Sequence, residues 1–490
     1  MKKKEFKMAD STSLKKKSLT AVVWSGMDVF IRQGVQFGVS VILARLLTPD
    51  EFGTIALLYL FTGIAGIFID GGFSSALVKK QNATHDDEST VFWINLAMGV
   101  LVALSLWFSA PWISSLFGYP ILIPLTGMLA LSLMLNAMGS VHLVLFSKRL
   151  DFKKPMIISS VAAVTSGILA IVLAMKGFGI WALAWQAVVA SLVSTIMLWI
   201  LSPWRPAFIF SIDSARGLFR FGSYLMLSAL LDIAYCRIYS LLIGKFYGVR
   251  ELAFYNRADN TKQIPADVLS KTLSRVVFPV FSAAADDKEK LRRGVRQVLR
   301  GVMLINLPIM FGLMVTAEDV IHVLFGKKWL PAAEALEVLC IAGMFWPLHV
   351  VNLNVLKALG HSNLFFRLEV IKKIIGTSFL LAGTFYGVIG IAWSQAAFGL
   401  IGFVINAHYT KIYLDYSAIK QIRDFLAVLF ISALMAITVH FAESIINLRV
   451  YEALALQVTS GVAVFFVLAA IFRLQVIIEV LQLVNRKTAS

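Results

Sequence analysis

Long apolar stretches separated by short polar connections dominate the sequence. A helix needs about 20 apolar residues to cross a bilayer core of about 30 Å, and about fourteen stretches meet this requirement. The predicted spans are residues 19–47, 54–78, 89–110, 120–147, 155–175, 179–201, 218–247, 254–281, 297–317, 331–356, 361–385, 388–410, 424–443 and 450–473. The pattern predicts an all-α polytopic membrane protein, and its short connections offer no room for a soluble catalytic domain.

Composition supports a membrane protein and changes the meaning of the charge. Hydrophobic residues make up 59% of the chain and charged residues 15%, whereas soluble domains contain about 45–50% and about 25%. A net charge of +17 in a soluble protein would suggest nucleic-acid binding. In a polytopic membrane protein it suggests basic cytoplasmic loops, so no nucleic-acid partner is expected. Two cysteines are too few for a disulfide framework or a Cys-ligated zinc site.

The basic residues predict an orientation. With the N-terminus inside, the inner connections and tails hold the seven lysines before residue 18, Lys79, Lys80, Lys148, Arg149, Lys153, Lys154, Arg205, Arg216, Arg220, the basic residues of 288–300, Lys411, Lys420, Arg423, Arg473, Arg486 and Lys487. The outer connections hold only Lys176, Arg250, Arg257, Lys327, Lys328 and Arg449. Cytoplasmic loops of membrane proteins carry the excess of Lys and Arg. We therefore expect both termini in the cytoplasm.

Short matches at an offset of about 200 residues indicate an internal duplication. ARLLTPDEFG at 44–53 resembles GKFYGVRELA at 244–253, LFG recurs at 116–118 and 324–326, and WALAWQA at 181–187 resembles IAWSQA at 391–396. An even number of spans separates the copies, so the repeats are parallel, and transporters with such repeats bind substrate between them. The predicted organisation is a basic N-terminus at 1–18, an N-terminal lobe at 19–201, a linker at 202–217, a C-terminal lobe at 218–410, two additional helices at 411–473 and a tail at 474–490.

Charged residues inside predicted spans are candidate functional groups, because a charge in a bilayer usually faces a cavity or a partner. Candidate substrate-binding residues are Arg32, Gln36, Arg237, Lys262, Lys271 and Arg275. Candidates for ion coupling or gating pairs are Asp28, Asp70, Asp232 and Asp267. The basic excess in the eighth span suggests an anionic group in the substrate. Structural ion pairs that lock helices together are the alternative interpretation. No phosphate-binding loop or metal-ligand motif is found, so no cofactor or metal ion and no enzymatic activity are expected.

Several stretches carry a resemblance to a known family. They are VILARLLTPDEFGTIAL at 41–57, IDGGFSSALVKKQ at 69–81, VFWINLAMGVL at 91–101, RVVFPVFSAAADDKEKLR at 275–292 and LFGKKWLPAAEALEVLCIAG at 324–343. The chain resembles Wzx-type polysaccharide flippases of the multidrug/oligosaccharidyl-lipid/polysaccharide superfamily, close to lipopolysaccharide and colanic-acid exporters. The resemblance implies two six-helix lobes plus two C-terminal helices in a MATE-like fold, opening alternately to either side of the membrane.

The resemblance also implies a substrate and a site. Such flippases move undecaprenyl-diphosphate-linked oligosaccharides to the outer leaflet of the bacterial cytoplasmic membrane, which is therefore the expected location of this protein. They do so through a cationic cavity, for which Arg32, Lys262, Lys271 and Arg275 are the candidates by position. Expected partners are this lipid-linked substrate, membrane lipid and a polysaccharide polymerase or export machinery. The alternatives are a cation-coupled multidrug or metabolite antiporter, a peptidoglycan-precursor flippase and a membrane-embedded polymerase or glycosyltransferase.

Overall fold

The computed structural model of the chain describes residues 32–80, 82–149, 151–445 and 449–472, and all regular elements in these ranges are helical. The chain divides into two compact units, Met1–Ala253 and Phe254–Ser490. The helices of the first unit are α1 (32–46), α2 (Pro49–Asp70), α3 (Phe73–Lys79), α4 (His85–Phe117), α5 (Leu122–Lys148), α6 (Lys153–Met175), α7 (Ile180–Leu201) and α8 (Ile212–Phe246). Helix α9 (Val249–Ala283) runs across the division. The second unit continues with α10 (Lys288–Val315), α11 (Ala317–Phe325), α12 (Ala332–Ala358), α13 (Ser362–Gly383), α14 (Gly387–Leu414), α15 (Ala418–Ile445) and α16 (Val450–Ile471).

The predicted fold class, an all-α polytopic membrane protein, is confirmed. The fourteen predicted spans correspond to α1, α2, α4–α10 and α12–α16. Eleven segments of the described chain are long and apolar enough to cross a membrane, and one of them, Asn363–Leu414, contains both α13 and α14. Helix α9 is not one of these eleven segments. It nevertheless forms one continuous helix that includes the charged residues of the eighth predicted span.

The second predicted span is not one helix, as the apolar pattern indicated, but two. Helix α2 ends before Gly71 and Gly72, which have φ angles of 52° and 73°, and α3 begins at Phe73. A Cβ atom on Gly72 would clash with the carbonyl oxygen of Gly222 on α8. Glycine adopts positive φ without steric cost. The pair therefore permits both the break and the close approach of α8.

Several helices begin earlier than their apolar spans, and α4 and α10 show the cause. At the start of α4, the Thr84 hydroxyl accepts a hydrogen bond from the Asp87 backbone N–H at 3.2 Å, and Asp87 Oδ2 accepts one from the Thr84 N–H at 2.9 Å. At the start of α10, the Asp287 carboxylate accepts from the Lys290 N–H at 3.0 Å. Side-chain caps satisfy the free N–H groups of the first turn. Capping therefore sets these starts, while hydropathy marks only the bilayer-crossing part.

The connection between α7 and α8 is held against α4. Trp93 Nε1 donates to the carbonyl of Ala207 at 2.8 Å, and the Ala207 N–H donates to Ser89 Oγ at 3.1 Å. The Ser211 N–H donates to Thr90 Oγ1 at 3.0 Å. Backbone groups of a connection need such partners wherever water cannot reach them. The first part of the predicted linker is thus fixed to the first unit, and α8 begins within it.

Helix α12 is the most buried of the candidate membrane-crossing segments of the second unit, and it packs against α10 and α14. Its Asn352 amide donates to Gln421 Oε1 of α15 at 3.0 Å, and its Oδ1 accepts from Thr410 of α14 at 2.7 Å. Gln421 Nε2 also donates to Asn352 Oδ1, at 2.9 Å. These buried hydrogen bonds join α12, α14 and α15. They define the register between the three helices more closely than apolar packing alone would.

Candidate functional site

The candidate residues of the first unit lie on three of its helices. Arg32 and Gln36 are exposed on α1 within the described residues, and Asp232 and Arg237 are exposed on α8. Asp70 is half-buried at the end of α2, where it accepts a hydrogen bond from the Ser74 hydroxyl across the glycine break. An exposed side chain in a membrane-crossing helix needs a polar surrounding. Their roles in substrate binding and in ion coupling or gating stay predictions.

Four of the remaining candidates lie outside what the structure describes. Asp28 precedes the first described residue. Asp267, Lys271 and Arg275 belong to α9, whose backbone is described there, but their side chains are outside the described part. Their roles stay predictions from the sequence.

Lys262 is the candidate that the structure defines most fully. Its side chain is 5% exposed, and Nζ donates to Asp259 Oδ1, one helical turn earlier, at 2.6 Å. The Asp259 side chain is 35% exposed. The aliphatic stem of Lys262 crosses α12 at Gly343, where a Cβ would lie 3.2 Å from Lys262 Cγ. Burial of an unpaired ammonium lowers the stability of the folded state. The ion pair with the Asp259 carboxylate offsets this cost for Lys262.

Arg257, two residues before Asp259, was predicted on the outer side of the membrane with the connecting residues. It is instead a buried helical residue, 7% exposed. Its guanidinium lies 4.5 Å from the ring centroid of Phe325 and 4.6 Å from that of Trp329. Arginine stacks on aromatic faces because they carry negative charge density. This contact depends on residues about 70 positions away, so local sequence carries no signal for it.

A second buried lysine was not among the predicted site residues. Lys372 on α13 forms an ion pair with Glu369, again one turn earlier in the chain. The lysine side chain is 8% exposed and the carboxylate 30% exposed. The sequence carried one signal for this ion pair. Glu369 and Lys372 are three residues apart, as are Asp259 and Lys262. Lys372 lies near the middle of the predicted span 361–385, and hydropathy alone did not show that its side chain is buried.

His142 and His349, two histidines within predicted spans, have different surroundings. His349 on α12 lies 3.0 Å from the Gly399 carbonyl and 3.0 Å from the Asn406 amide, both on α14. His142 on α5 is fully buried between the rings of Trp199 and Trp204, at centroid distances of 5.1 and 5.2 Å. Its ring nitrogens have no hydrogen-bond partner among the residues that the structure describes. His142 is thus a packed core residue, whereas His349 is half-buried and contacts α14 through both ring nitrogens.

The chemistry of the second unit follows from its two lysine–carboxylate pairs. In each, the ammonium is buried and the carboxylate is more accessible. An ammonium group binds phosphate oxygens as a point charge. A ligand phosphate that replaced the carboxylate would keep the lysine paired, whereas an uncharged ligand would not. The arrangement therefore suits an anionic ligand.

The fold is that of lipid-flipping and multidrug transporters. The solved structure of the lipid II flippase MurJ in an inward closed conformation covers 93% of this chain and 100% of its own, with a TM-score of 0.76 at 17% identity. An inward-facing multidrug resistance MATE transporter of the MOP superfamily covers 81% of this chain with a TM-score of 0.60 at 18% identity. The protein is thus a multi-pass membrane protein with the fold predicted from its resemblance.

The family follows from the sequence comparisons. A family model described as "Polysaccharide biosynthesis protein" matches residues 42–334, more than half of the chain, and the chain belongs to this family. A model of the lipid II flippase MurJ matches residues 238–459. The predicted resemblance is therefore confirmed.

Named relatives cover most of the chain. The succinoglycan biosynthesis transport protein ExoT of Rhizobium meliloti is 29% identical over 454 residues, 90% of each chain. The teichuronic acid biosynthesis protein TuaB of Bacillus subtilis is 28% identical over 80% of this chain and 82% of its own. The lipopolysaccharide biosynthesis protein WzxC of Escherichia coli is 26% identical over 77% and 78%.

Proposed function

We propose that this protein flips undecaprenyl-diphosphate-linked oligosaccharide repeat units across the cytoplasmic membrane during synthesis of a surface polysaccharide. The observation that carries the proposal is the full-length similarity to ExoT, a succinoglycan biosynthesis transport protein, together with the fold shared with a lipid II flippase. A lipid-linked sugar is the form in which a polar saccharide stays attached to a bilayer while it changes leaflet. Alternating access of the two lobes predicted from the sequence is part of this proposal.

The buried lysines support an anionic substrate. Lys262 and Lys372 each carry one accessible carboxylate as counterion. In the proposal, the diphosphate of the substrate takes the place of Asp259 at Lys262, so that binding exchanges one anion for another. Such an exchange avoids the cost of an unpaired buried charge. Arg32, Gln36, Arg237, Lys271 and Arg275 remain proposed contacts, and Asp28, Asp70, Asp232 and Asp267 remain proposed coupling or gating residues.

Contacts at one end of the first unit support the proposed orientation, with both termini in the cytoplasm. Lys148 Nζ donates to the carbonyl of Lys80 at 2.9 Å, and Lys154 Nζ donates to the carbonyl of Leu201 at 3.4 Å. Three connections predicted to be cytoplasmic therefore lie together, and they carry basic residues. Basic residues favour the cytoplasmic side of the membrane. The same proposal includes a polysaccharide polymerase or export machinery as partner on the opposite side of the membrane.

Deletion of the gene in its source strain tests the function. We expect surface polysaccharide to disappear and the undecaprenyl-diphosphate-linked repeat unit to accumulate, as measured by lipid extraction and mass spectrometry. The wild-type gene on a plasmid is expected to restore both. Normal polymer without accumulated lipid-linked saccharide in the deletion strain would refute the proposal, and new drug sensitivity in such a strain would favour a multidrug antiporter.

A peptidoglycan-precursor flippase is the second candidate. The match of residues 238–459 to the model of the lipid II flippase MurJ favours it. Expression of this chain in a strain depleted of its own MurJ distinguishes the two functions. Rescue from lysis would support the second candidate, whereas the leading proposal expects continued lysis.

A further inference from the structure

A basic cavity opens at one end of the second unit, where α10 and α15 begin. Its volume is about 130 Å³. The lining residues are Arg292, Arg296, Asp415, Tyr416, Lys420, Arg423 and Asp424. Four of them are basic and two are acidic, so the wall carries a net positive charge. Both helices belong to membrane-crossing segments, which places the cavity at the edge of the bilayer.

Asp424 organises the inner wall of this cavity. Its carboxylate accepts two hydrogen bonds from Arg296, at 2.7 and 2.5 Å, and one from Arg300 at 2.6 Å. The Tyr416 hydroxyl donates to the same carboxylate at 2.7 Å. Burial, and then the hydrogen bond to Asp424, raise the pKa of Tyr416, which keeps this donor protonated. A bidentate arginine has a defined orientation, so the inner wall is rigid before any ligand arrives.

The outer wall contains basic side chains that can bind a further anion. Lys420 Nζ donates to Asp415 Oδ2 at 2.8 Å, and this hydrogen bond holds the pKa of Asp415 below its usual range. Arg292 lies 3.9 Å from the same carboxylate. Arg423 lines the cavity and is exposed, and it has no hydrogen bond or ion pair to any residue within the described ranges. Its guanidinium is thus available to a ligand.

Exposed apolar side chains flank Arg423 on the surface of α15. Ile419 precedes it by four residues and is 79% exposed, and Leu426 follows it by three residues and is 50% exposed. Residues three and four apart share one face of a helix. Phe430, 54% exposed, continues this face toward the middle of the membrane-crossing segment. A ligand that contacts both groups needs an anionic head and an apolar tail.

We propose that this cavity binds the phosphodiester headgroup of an anionic phospholipid, such as phosphatidylglycerol. The phosphate contacts Arg423 and the neighbouring cations of the outer wall, and one acyl chain lies along Ile419, Leu426 and Phe430. Basic pockets at the ends of membrane helices provide both the charge and the position for such headgroups. The apolar face distinguishes this ligand from free phosphate. The inference rests on this unit alone and does not depend on the proposed transport substrate.

Native mass spectrometry of the full chain in detergent tests the site with dioleoylphosphatidylglycerol and dioleoylphosphatidylcholine as probes. We expect the anionic lipid to bind at least tenfold more tightly. Arg423→Gln is expected to weaken this binding about fivefold, and Lys420→Gln/Arg423→Gln about 30-fold, because each basic residue near an anionic headgroup contributes about 1 kcal/mol. Arg423→Lys keeps the charge and is expected to stay within about threefold of the wild type.

Arg293→Gln is the matched control, since Arg293 is an exposed neighbour on α10 that does not line the cavity. It is expected to leave phosphatidylglycerol binding unchanged. Equal binding of the two lipids, or equal losses in Arg293→Gln and Arg423→Gln, would overturn the proposal. Displacement of the lipid by glycerol 3-phosphate at similar concentration would identify a site for soluble phosphate instead. Preferential displacement by undecaprenyl diphosphate would identify a substrate-docking site and would also overturn it.

Discussion

Asn306 on α10 donates its side-chain amide to the carbonyl of Gly343 on α12, at 3.2 Å, at the point where α12 contains a proline. Pro347 is four residues further along α12 and has no N–H, so the Gly343 carbonyl lacks the donor that an α-helix normally supplies. Asn306 is fully buried and also donates to the Met344 carbonyl at 3.2 Å. The asparagine thus satisfies the backbone group that the proline leaves without a partner.

This relationship predicts coupling between Asn306 and Pro347. Asn306→Leu is expected to lower the free energy of unfolding by about 1–3 kcal/mol, because it leaves a buried carbonyl without a donor. In the Pro347→Ala background the cost is expected to fall below about 1 kcal/mol, because residue 347 then supplies an N–H to Gly343. Unfolding of the four proteins in mixed detergent micelles measures the cycle. Equal cost in both backgrounds would contradict this explanation.

Lys262 is predicted to act through its charge. Lys262→Met keeps an unbranched stem against Gly343 but removes the ammonium, and we expect polysaccharide export to fall at least tenfold. The double variant Asp259→Asn/Lys262→Met removes the orphaned carboxylate as well. If Lys262 binds the substrate, the double variant is as stable as the wild type but still inactive.

Export in complementation of the deletion strain, with protein level measured in membranes, checks this prediction. Lys176→Ala is the control, since Lys176 is exposed on the connection between α6 and α7 and is expected to leave export unchanged. Recovery of export in the neutral double variant would assign a structural role to the pair, and the substrate contact would be rejected.

His142 and His349 are predicted to respond differently to the same substitution. His142→Phe keeps the ring contacts with Trp199 and Trp204 and removes two nitrogens without partners in the described chain, so we expect stability to change by less than about 1 kcal/mol. His349→Phe loses contacts with Gly399 and Asn406 and is expected to cost about 1–3 kcal/mol. Thermal unfolding measures both. Loss of export in stable His142→Phe protein would show that the imidazole has a chemical role.

The glycine break between α2 and α3 predicts a strong sensitivity to added methyl groups. Gly72 and Gly118 have similar φ angles, 73° and 78°, but a Cβ on Gly118 would meet no atom within 4 Å. Gly118→Ala is expected to cost about 1–2 kcal/mol from backbone strain alone. Gly72→Ala adds the clash with the Gly222 carbonyl and is expected to prevent accumulation of folded protein.

Fluorescence-detected size-exclusion chromatography of both alanine variants compares their folded amounts. Because the backbone strain is nearly the same at both positions, the difference between them isolates the helix contact. Equal folded amounts of Gly72→Ala and Gly118→Ala would contradict the close approach of α8.

Much of the fold followed from the sequence because bilayer thickness imposes a length on every apolar helix. The fourteen spans and the all-α class depend on runs of hydrophobic residues, which local composition determines. The candidate site was less accessible to this reasoning. Lys262 was identified from its charge within a span. Lys372 was missed although it lies near the middle of the span 361–385, because hydropathy alone does not show whether a charged side chain is buried.

The sequence by itself determined the class of protein, the approximate number of spans and the basic connections that predict orientation. Only the tertiary structure decided which partners the charged side chains have. Arg257 lies over the rings of Phe325 and Trp329, and Arg296 donates a hydrogen bond to Asp424, 128 residues further along the chain. Hydropathy is a local property and is therefore readable along the chain. Pairing depends on which helix faces come together, which packing of the whole unit decides.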